Sequence, residues 1–397
     1  MKMSIDRRSN KVIMEAYLDN SATTKVSDRV KELMIKVMTE DYGNPSSLHM
    51  KGVEAEKYIR QATEAIAKLL KVQPKEIIYT SGGTESNNLA LIGCAMANKR
   101  AGNHIITSDI EHASILATMK FLEENGFRVT YLPVDEDGHV SLDALKESLC
   151  DETILVSVMH VNNEIGAIEP VEEISKIVKA YKPSIIFHVD GIQSFGKLML
   201  HPKKMGIDML SVSGHKIHGP KGSGFLFVSD KVKIKPVIFG GGQQKGMRSG
   251  TENVPGIAGL GLAAVEAYES FEEKIKKMTE LKDYFIDKIT GINDVTVNSK
   301  KGDEGAPHII SVTFNGVRSE VMLHSLEGKQ IYVSSGSACS SNKPAVSRTL
   351  KGIGLNDHQI DSTIRFSLCY ESTKEELDYA VDTVAGMIDM LRKFTKR

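Results

Sequence analysis

The sequence predicts an α/β protein built on a mainly parallel sheet with helices on both faces. From about residue 50 to 230, short β-branched runs alternate with segments of helical periodicity. These runs are apolar at successive positions, which is typical of strands buried on both faces. At 397 residues the chain also exceeds the usual size of one hydrophobic core, so a second, smaller domain is expected.

The large domain is predicted over residues 25–265, after an N-terminal segment, 1–24, that is expected to pack with the small domain. An amphipathic helix is predicted over 51–71, and a second helix opens just after the first strand. Seven strand candidates make up the predicted sheet: 77–79, 105–106, 129–132, 154–158, 185–189, 209–212 and 225–228. Ligands of such sheets bind at the carboxyl ends of the strands, so the chemistry is expected there.

The small domain is predicted over residues 266–397, with an α+β composition. It begins with a long charged helix over 266–288 and continues with strands at 309–314 and 331–333. A final helix is predicted from the capping pair Thr373 and Glu376, which have the spacing of a capping box.

Composition excludes several classes of protein. The formal net charge is −1, so no basic excess indicates direct nucleic-acid binding. No apolar run is long enough for a membrane span, and the N-terminus lacks the apolar core of a secretory signal. The four cysteines are scattered without a CxxC pair, which argues against a disulfide framework and a structural zinc site. A cytoplasmic protein is predicted.

The segment Ser81-Gly82-Gly83-Thr84-Glu85 stands at a predicted strand-to-helix junction. Its glycines let the backbone approach an anion closely, and a helix N-terminus offers unpaired N–H groups with a favourable dipole. A phosphate site is one interpretation, and a plain tight turn is the other. The segment matches neither the GxGxxG motif nor a P-loop.

Asp190 ends a strongly β-branched run, with Gln193 three residues further on. A carboxylate at the carboxyl end of a strand is placed to meet a cationic ring nitrogen. A helix-capping aspartate would fit the same pattern.

Lys216 follows the strand predicted at 209–212, between two histidines in a glycine-rich stretch. A lysine that forms an imine requires a lowered pKa, which cationic neighbours or desolvation supply. Ser213 and His215 could add donors to a phosphate. The alternative interpretation is an ordinary basic turn.

Cys339 lies in the Ser/Gly-rich segment Val333-Ser-Ser-Gly-Ser-Ala-Cys-Ser-Ser-Asn342, so its thiol is expected to be exposed and mobile. Cys94, Cys150 and Cys369 stand in apolar or regular patterns and are interpreted as structural. Cys339 is therefore the predicted nucleophile.

Together these segments resemble the cysteine desulfurases, in the aminotransferase class V branch of the fold-type I enzymes that use pyridoxal 5'-phosphate (PLP). The matching motifs run in family order almost from end to end. They are YLDNSATT at 17–24, YGNPSS at 42–47, TSGGTESNN at 80–88, EH at 111–112, HVNNEIG at 160–166, HVD at 188–190, SGHK at 213–216, RSGTE at 248–252, the Cys339 segment and IRFS at 364–367.

The resemblance implies a role for each matching residue around the cofactor. Lys216 would bind PLP covalently, and Asp190 would keep the ring nitrogen protonated so that the ring accepts electrons. His112 would stack on the ring and assist proton transfer. Gln193 and Asn163 would lie near the phenolic oxygen of the ring.

The remaining implied roles concern the phosphate, the substrate and the partner subunit. The phosphate would be held by Gly83, Thr84, Ser213 and His215. Thr251 would reach the phosphate of the partner subunit, which implies a homodimer. Arg365 would bind the substrate carboxylate as a bidentate fork, with Asn163 also facing the substrate.

The implied activity is the removal of sulfur from L-cysteine. Lys216, displaced by the substrate, would take the Cα proton, and the Cys339 thiolate would attack the substrate sulfur. L-Alanine would leave and Cys339 would keep a persulfide for a sulfur-acceptor protein. A nucleophile that visits a buried cofactor and then an acceptor requires a mobile loop.

Within the family, SSGSACSS at 334–341 resembles the iron–sulfur-cluster and nitrogenase-associated group. The chain departs from that group after the cysteine, where it reads SNKPAVS at 341–347, and at Gly191-Ile192. The first departure leaves the acceptor open between an iron–sulfur scaffold, a tRNA-thiolation enzyme and a thiamine pathway.

Three other functions are possible for a protein of this fold. A selenocysteine lyase is compatible with the motifs, whereas a transaminase has no need of a mobile cysteine. A non-enzymatic scaffold would be expected to lack Lys216 or Asp190, and both are present.

Overall fold

The computed structural model describes residues 3–5, 12–335 and 346–395. The strands are β1 Met3–Ile5, β2 Val12–Met14, β3 Ala16–Tyr17, β4 Ile77–Thr80, β5 His104–Ser108, β6 Arg128–Leu132, β7 Thr153–Met159, β8 Ile186–Asp190, β9 Met209–Ser213, β10 Gly224–Val228, β11 Val295–Val297, β12 Ile309–Phe314, β13 Ile331–Tyr332, β14 Ser334–Ser335 and β15 Thr363–Ser367. The helices are α1 Asp28–Thr39, α2 Met50–Leu70, α3 Gly83–Asn98, α4 Ala113–Glu124, α5 Leu142–Ser148, α6 Val171–Tyr181, α7 Pro202–Met205, α8 Val254–Tyr268, α9 Phe271–Ile289, α10 Ser319–Glu327, α11 Arg348–Gly352, α12 Asp357–Ile360 and α13 Lys374–Thr395.

The main sheet has seven strands in the order β4-β10-β9-β8-β7-β5-β6. The pairs from β9 to β6 are all parallel, while β10 is antiparallel to both of its neighbours. The predicted mainly parallel, seven-stranded sheet is therefore confirmed. Because the parallel strands point the same way, the loops after β5, β7, β8 and β9 meet at one edge of the sheet.

Helices cover both faces of this sheet, as the continuous apolar runs predict. Ile105 packs in a cluster with α3 and α4, whereas the next residue, Ile106, packs in a separate cluster with α2, α6 and α8. Successive side chains of a strand point to opposite faces, so a strand buried on both faces must be apolar at every position.

A second hydrophobic cluster surrounds the four-stranded sheet β11-β12-β15-β14, with residues from α9, α10 and α13. Ala16 and Leu18 belong to this cluster, and β3 pairs in parallel with β13. The domain limits 1–24, 25–265 and 266–397 stay a prediction.

The prediction of one helix over 266–288 is wrong. The helix α8 ends at Tyr268, Ser270 adopts a left-handed backbone with φ of 47°, and α9 begins at Phe271. The chain turns here because α8 packs in the core of the large sheet and α9 in the core of the small one. The break lacks the glycine or proline that normally marks it in a sequence.

The last helix begins as predicted. Thr373 N donates to Glu376 Oε2 at 3.0 Å, and Glu376 N donates to Thr373 Oγ1 at 3.3 Å, which is a capping box. None of the helices in the described ranges is long and apolar enough to cross a membrane.

Candidate active site

A cavity of about 790 Å³ opens at the edge of the large sheet where the parallel strands end. Ten of the twelve predicted site residues line it: Gly83, Thr84, His112, Asn163, Asp190, Gln193, Ser213, His215, Lys216 and Arg365. The loops after β5, β7, β8 and β9 supply most of them, because those strands are parallel and end at the same level. Residues far apart in the sequence therefore converge on one space.

Asp190 is the last residue of β8, and its carboxyl group is held from two sides. Ile192 N donates to Oδ1 at 2.9 Å, and Asn87 Nδ2 donates to Oδ2 at 2.8 Å. Burial raises the pKa of the Asp190 carboxyl, although both of these hydrogen bonds act in the opposite direction. A cation that binds in the cavity beside Asp190 would favour the ionised form.

An anion cup lies at the N-terminus of α3. A Cβ atom on Gly83 would stand 2.1 Å from Ile192 Cδ1, so glycine keeps this space open. Ser213 Oγ is buried beside it and has no hydrogen-bond partner among the described residues. Burial lowers the pKa of His215, which also lines the cup, to about 4, so its ring is neutral at neutral pH. The cup thus offers N–H and O–H donors to an anion.

Lys216 lies in a one-turn 3-10 helix, Gly214–Lys216, directly after β9. Its Nζ donates to the carbonyl oxygen of Ser21 and, at 2.8 Å, to that of Ala22. The amine is therefore held against the chain just after β3, within the cavity.

His112 precedes α4 and caps it, because its Nδ1 accepts from Ser114 N at 3.1 Å. Burial lowers the pKa of His112, so the ring is neutral, and the accepting Nδ1 leaves the proton on Nε2. The side chain lines the same cavity as Asp190 and Lys216.

Arg365 reaches the cavity from the small sheet, on β15. Its Nη1 donates to Asn163 O at 2.8 Å and its Nη2 to Asp19 Oδ1 at 3.1 Å. Its Nε is buried and has no hydrogen-bond partner within the described ranges. The guanidinium therefore keeps a donor for a further acceptor.

Gln193 is fixed by two buried contacts. Its Nε2 donates to Ser21 O at 3.0 Å, and its Oε1 lies 3.2 Å from His308 Nε2. The carbonyl of Ser21 thus joins the side chains of Gln193 and Lys216.

Sequence reasoning assigned no role to three residues that hold the site: Asn87, Asp19 and His308. Asn87 and Asp19 stand within quoted motifs, but nothing in their spacing singles them out. His308 had no signal at all, because it supports Gln193 from the residue before β12, far away in the sequence.

One of the predicted residues that the structure describes, Thr251, does not line the cavity. Thr251 is exposed on the loop before α8. Cys339 lies outside the described residues. Of the other cysteines, Cys94 is buried, which raises the pKa of its thiol to about 12. The pKa of the partly buried Cys150 is lowered: burial raises it, but hydrogen bonds with Thr153 and Arg128 outweigh that effect.

Comparison with known proteins gives the family. The aminotransferase class V model matches residues 16–380. A cysteine desulfurase IscS from Dictyoglomus turgidum is 44% identical, with 95% of each chain covered. A putative cysteine desulfurase IscS 1 from Bacillus subtilis is 43% identical over 94% of this chain and 99% of its own.

Solved structures agree with these relatives. A NifS-like protein superposes with a TM-score of 0.90 at 39% identity, covering 95% of this chain and all of the other. A structure described as SspA in complex with cysteine gives a TM-score of 0.79 at 36% identity, covering 90% of this chain and all of the other. The resemblance inferred from the motifs and the fold-type I architecture are confirmed. The chain belongs to the aminotransferase class V family, in the group whose relatives are named cysteine desulfurases.

Proposed function

We propose that this chain is a PLP-dependent cysteine desulfurase, which converts L-cysteine to L-alanine and holds the released sulfur as a persulfide on Cys339. The observation that carries the proposal is the convergence of three groups on one cavity. These are the buried carboxyl of Asp190, the amine of Lys216 and the anion cup at the start of α3.

The donor set fits PLP. The unpartnered Ser213 hydroxyl and the free N–H groups of α3 suit a phosphate. Asp190 suits a protonated ring nitrogen, because a buried carboxyl with a raised pKa is stabilised as an anion by a cation beside it. When bound, PLP supplies an electron sink for the pair released at the substrate Cα.

The side chains of this protein would supply the rest of the chemistry. Arg365 would bind the substrate carboxylate as a bidentate fork, through its unpartnered Nε and one Nη group, with Asn163 beside it. Lys216 Nζ would leave the backbone carbonyls of Ser21 and Ala22 and accept the Cα proton of the substrate. His112, neutral and protonated on Nε2, would donate to the substrate without adding charge.

The sulfur step would balance within substrate and enzyme. The Cys339 thiolate forms a bond to the substrate sulfur while the substrate C–S bond breaks. The electron pair and a proton go to the carbon, which leaves as the methyl group of L-alanine. Cys339 then carries the persulfide, so no external oxidant or reductant is required.

The protein would work as a homodimer in the cytoplasm. Thr251 lies exposed on a loop next to the anion cup, where it could reach a partner's phosphate, and Arg248 anchors this loop through Glu85 at 2.9 Å. Leu48 and Phe239 are 101% and 80% exposed, and a subunit interface would cover such apolar side chains. The acceptor of the sulfur would be an iron–sulfur scaffold or a tRNA-thiolation enzyme.

The test is the product balance of purified protein given L-cysteine and PLP. We expect L-alanine and a persulfide on the Cys339 peptide by mass spectrometry. Cys339→Ala should abolish both, while Cys150→Ala, a matched control, should retain both. Lys216→Ala should lose the visible absorbance of the bound cofactor. If Cys339→Ala still forms alanine and sulfide at the wild-type rate, Cys339 is not the sulfur carrier.

A further inference from the structure

Lys197 is a buried lysine beside Lys216. It follows Gly196, whose backbone φ is 75°, and its own N–H donates to Ser194 O at 3.0 Å. Its Nζ donates to the backbone carbonyl of Lys216 at 2.7 Å. The residue is 8% exposed, and no carboxylate within the described ranges forms an ion pair with it.

Charged and titratable groups face Lys197 from three segments of the chain. These groups are His215, Lys216 and His218 after β9, His308 before β12, and Cys369 after β15. Burial lowers the pKa of all three histidines and raises that of the Cys369 thiol, so none of them balances an ammonium group. The pKa of Lys197 is lowered to about 7, mainly by burial and secondly by the charge of Lys216.

A lysine in such a place is unfavourable for folding, because a buried amine without a carboxylate partner is poorly solvated. A methionine would fill a similar volume without that cost. A residue that breaks a packing rule in this way, in contact with a site residue, is expected to serve the site.

Lys216 is in fact fixed at both ends. Its Nζ lies against the carbonyls of Ser21 and Ala22, and its own carbonyl is held by Lys197. In the proposed reaction the Nζ must leave the Ser21 and Ala22 carbonyls repeatedly. The Lys197 contact would then still hold the carbonyl of Lys216, while Thr24 donates to the carbonyl of His215 and Gly214 N donates to Ser223 O.

We propose that Lys197 is a positioning residue for Lys216, which anchors its backbone carbonyl and places a second amine beside the reactive one. This inference rests on the proposed function, in which Lys216 is the reactive amine. Lys197 touches neither substrate nor cofactor in this scheme. It acts only through Lys216.

The test uses cofactor-free protein, so that it does not depend on activity. Acylation of Lys216 by acetic anhydride is measured between pH 6 and 10 by mass spectrometry of its peptide. Lys197→Met removes an amine that is already neutral above pH 7, so the midpoint of Lys216 acylation in that range should change by less than about 0.3 pH unit. Lys197→Arg keeps a permanent charge and should move the midpoint downward.

Lys282→Met is the matched control. Lys282 is also fully buried and its Nζ donates to a backbone carbonyl, that of Ala306, at 2.9 Å. We expect this variant to leave the Lys216 midpoint unchanged. A downward shift in Lys197→Arg that is absent from Lys197→Met supports the proposal, because a merely structural defect would not depend on the charge of the new side chain. Equal midpoints in wild type, Lys197→Met and Lys197→Arg would overturn it.

The holoenzyme separates this inference from the proposed function. In desulfurase assays Lys197→Met should lower kcat about tenfold while KM for L-cysteine changes little, because the substrate carboxylate is bound elsewhere. If wild type neither binds PLP nor forms alanine, the proposed function fails. If wild type is active and Lys197→Met has a wild-type kcat, the positioning role fails instead.

Discussion

Replacing Asn87 by alanine should weaken cofactor binding without removing any group that touches the cofactor. Asn87 Nδ2 donates to Asp190 Oδ2 at 2.8 Å and to Ser114 Oγ at 2.9 Å, and the side chain is fully buried. A hydrogen bond to a charged group contributes about 1.5–3 kcal/mol. Because a factor of ten in affinity corresponds to about 1.4 kcal/mol, the dissociation constant of PLP should rise about 10- to 150-fold.

The pH dependence of PLP binding in Asn87→Ala follows from the same hydrogen bond to Asp190. The Asn87 hydrogen bond lowers the pKa of Asp190 against the effect of burial, so its loss raises that pKa further. The ionised carboxylate exists above its pKa. The acidic limb of PLP binding should therefore move to higher pH in Asn87→Ala, and the loss of affinity should be largest in acid.

The assay is a titration of cofactor-free protein with PLP, followed by visible absorbance at several pH values. Asn88→Ala is the matched control, because Asn88 is the next residue of α3 and bonds to Thr84 O and Thr118 instead. If Asn87→Ala binds PLP as tightly as Asn88→Ala at every pH, the reasoning about Asp190 is wrong.

Three further variants probe other contacts. Arg365→Met should raise KM for L-cysteine about tenfold or more, since it removes a charged hydrogen bond, while the visible spectrum with PLP stays unchanged; a normal KM would contradict the assignment. Ser213→Ala should weaken PLP binding yet raise the melting temperature of cofactor-free protein, because it removes a buried hydroxyl without a partner. If PLP affinity and melting temperature both fell or both rose, the assignment of Ser213 would be wrong. Between pH 7 and about 10, Lys197 is protonated in the unfolded state and neutral in the folded state. The free energy of unfolding of cofactor-free protein should therefore rise with pH in this range, and Lys197 contributes up to about 1.4 kcal/mol per pH unit. Denaturant titrations should show that this contribution is missing in Lys197→Met, and an unchanged slope would count against a neutral buried amine.

The sequence predicts the sheet well because burial on both faces demands unbroken apolar runs, and such runs are visible without a structure. It also predicts that Asp190 and Lys216 converge, since both follow strands of that sheet. Asn87 and Lys197 escape sequence reasoning for a shared reason. Each supports a neighbour in space, at 103 and 19 residues' separation, and no local pattern records such a contact.

The break between α8 and α9 escapes for a different reason. Helical periodicity continues across residues 266–288, so only the change of core at Ser270 ends the first helix. The roles of Cys339 and Thr251 stay predictions. Cys339 lies outside the described residues, and the role of Thr251 requires a partner subunit.

Arg365 joins three separate parts of the chain at one point. The guanidinium extends from the small sheet, hydrogen bonds to the loop after β7 of the large sheet, and pairs with Asp19 just after β3. Cofactor recognition is thus built almost entirely on one hydrophobic core, whereas substrate recognition needs both. During gradual denaturation we expect two separate losses: turnover of L-cysteine should fail first, while PLP is still retained by the large sheet.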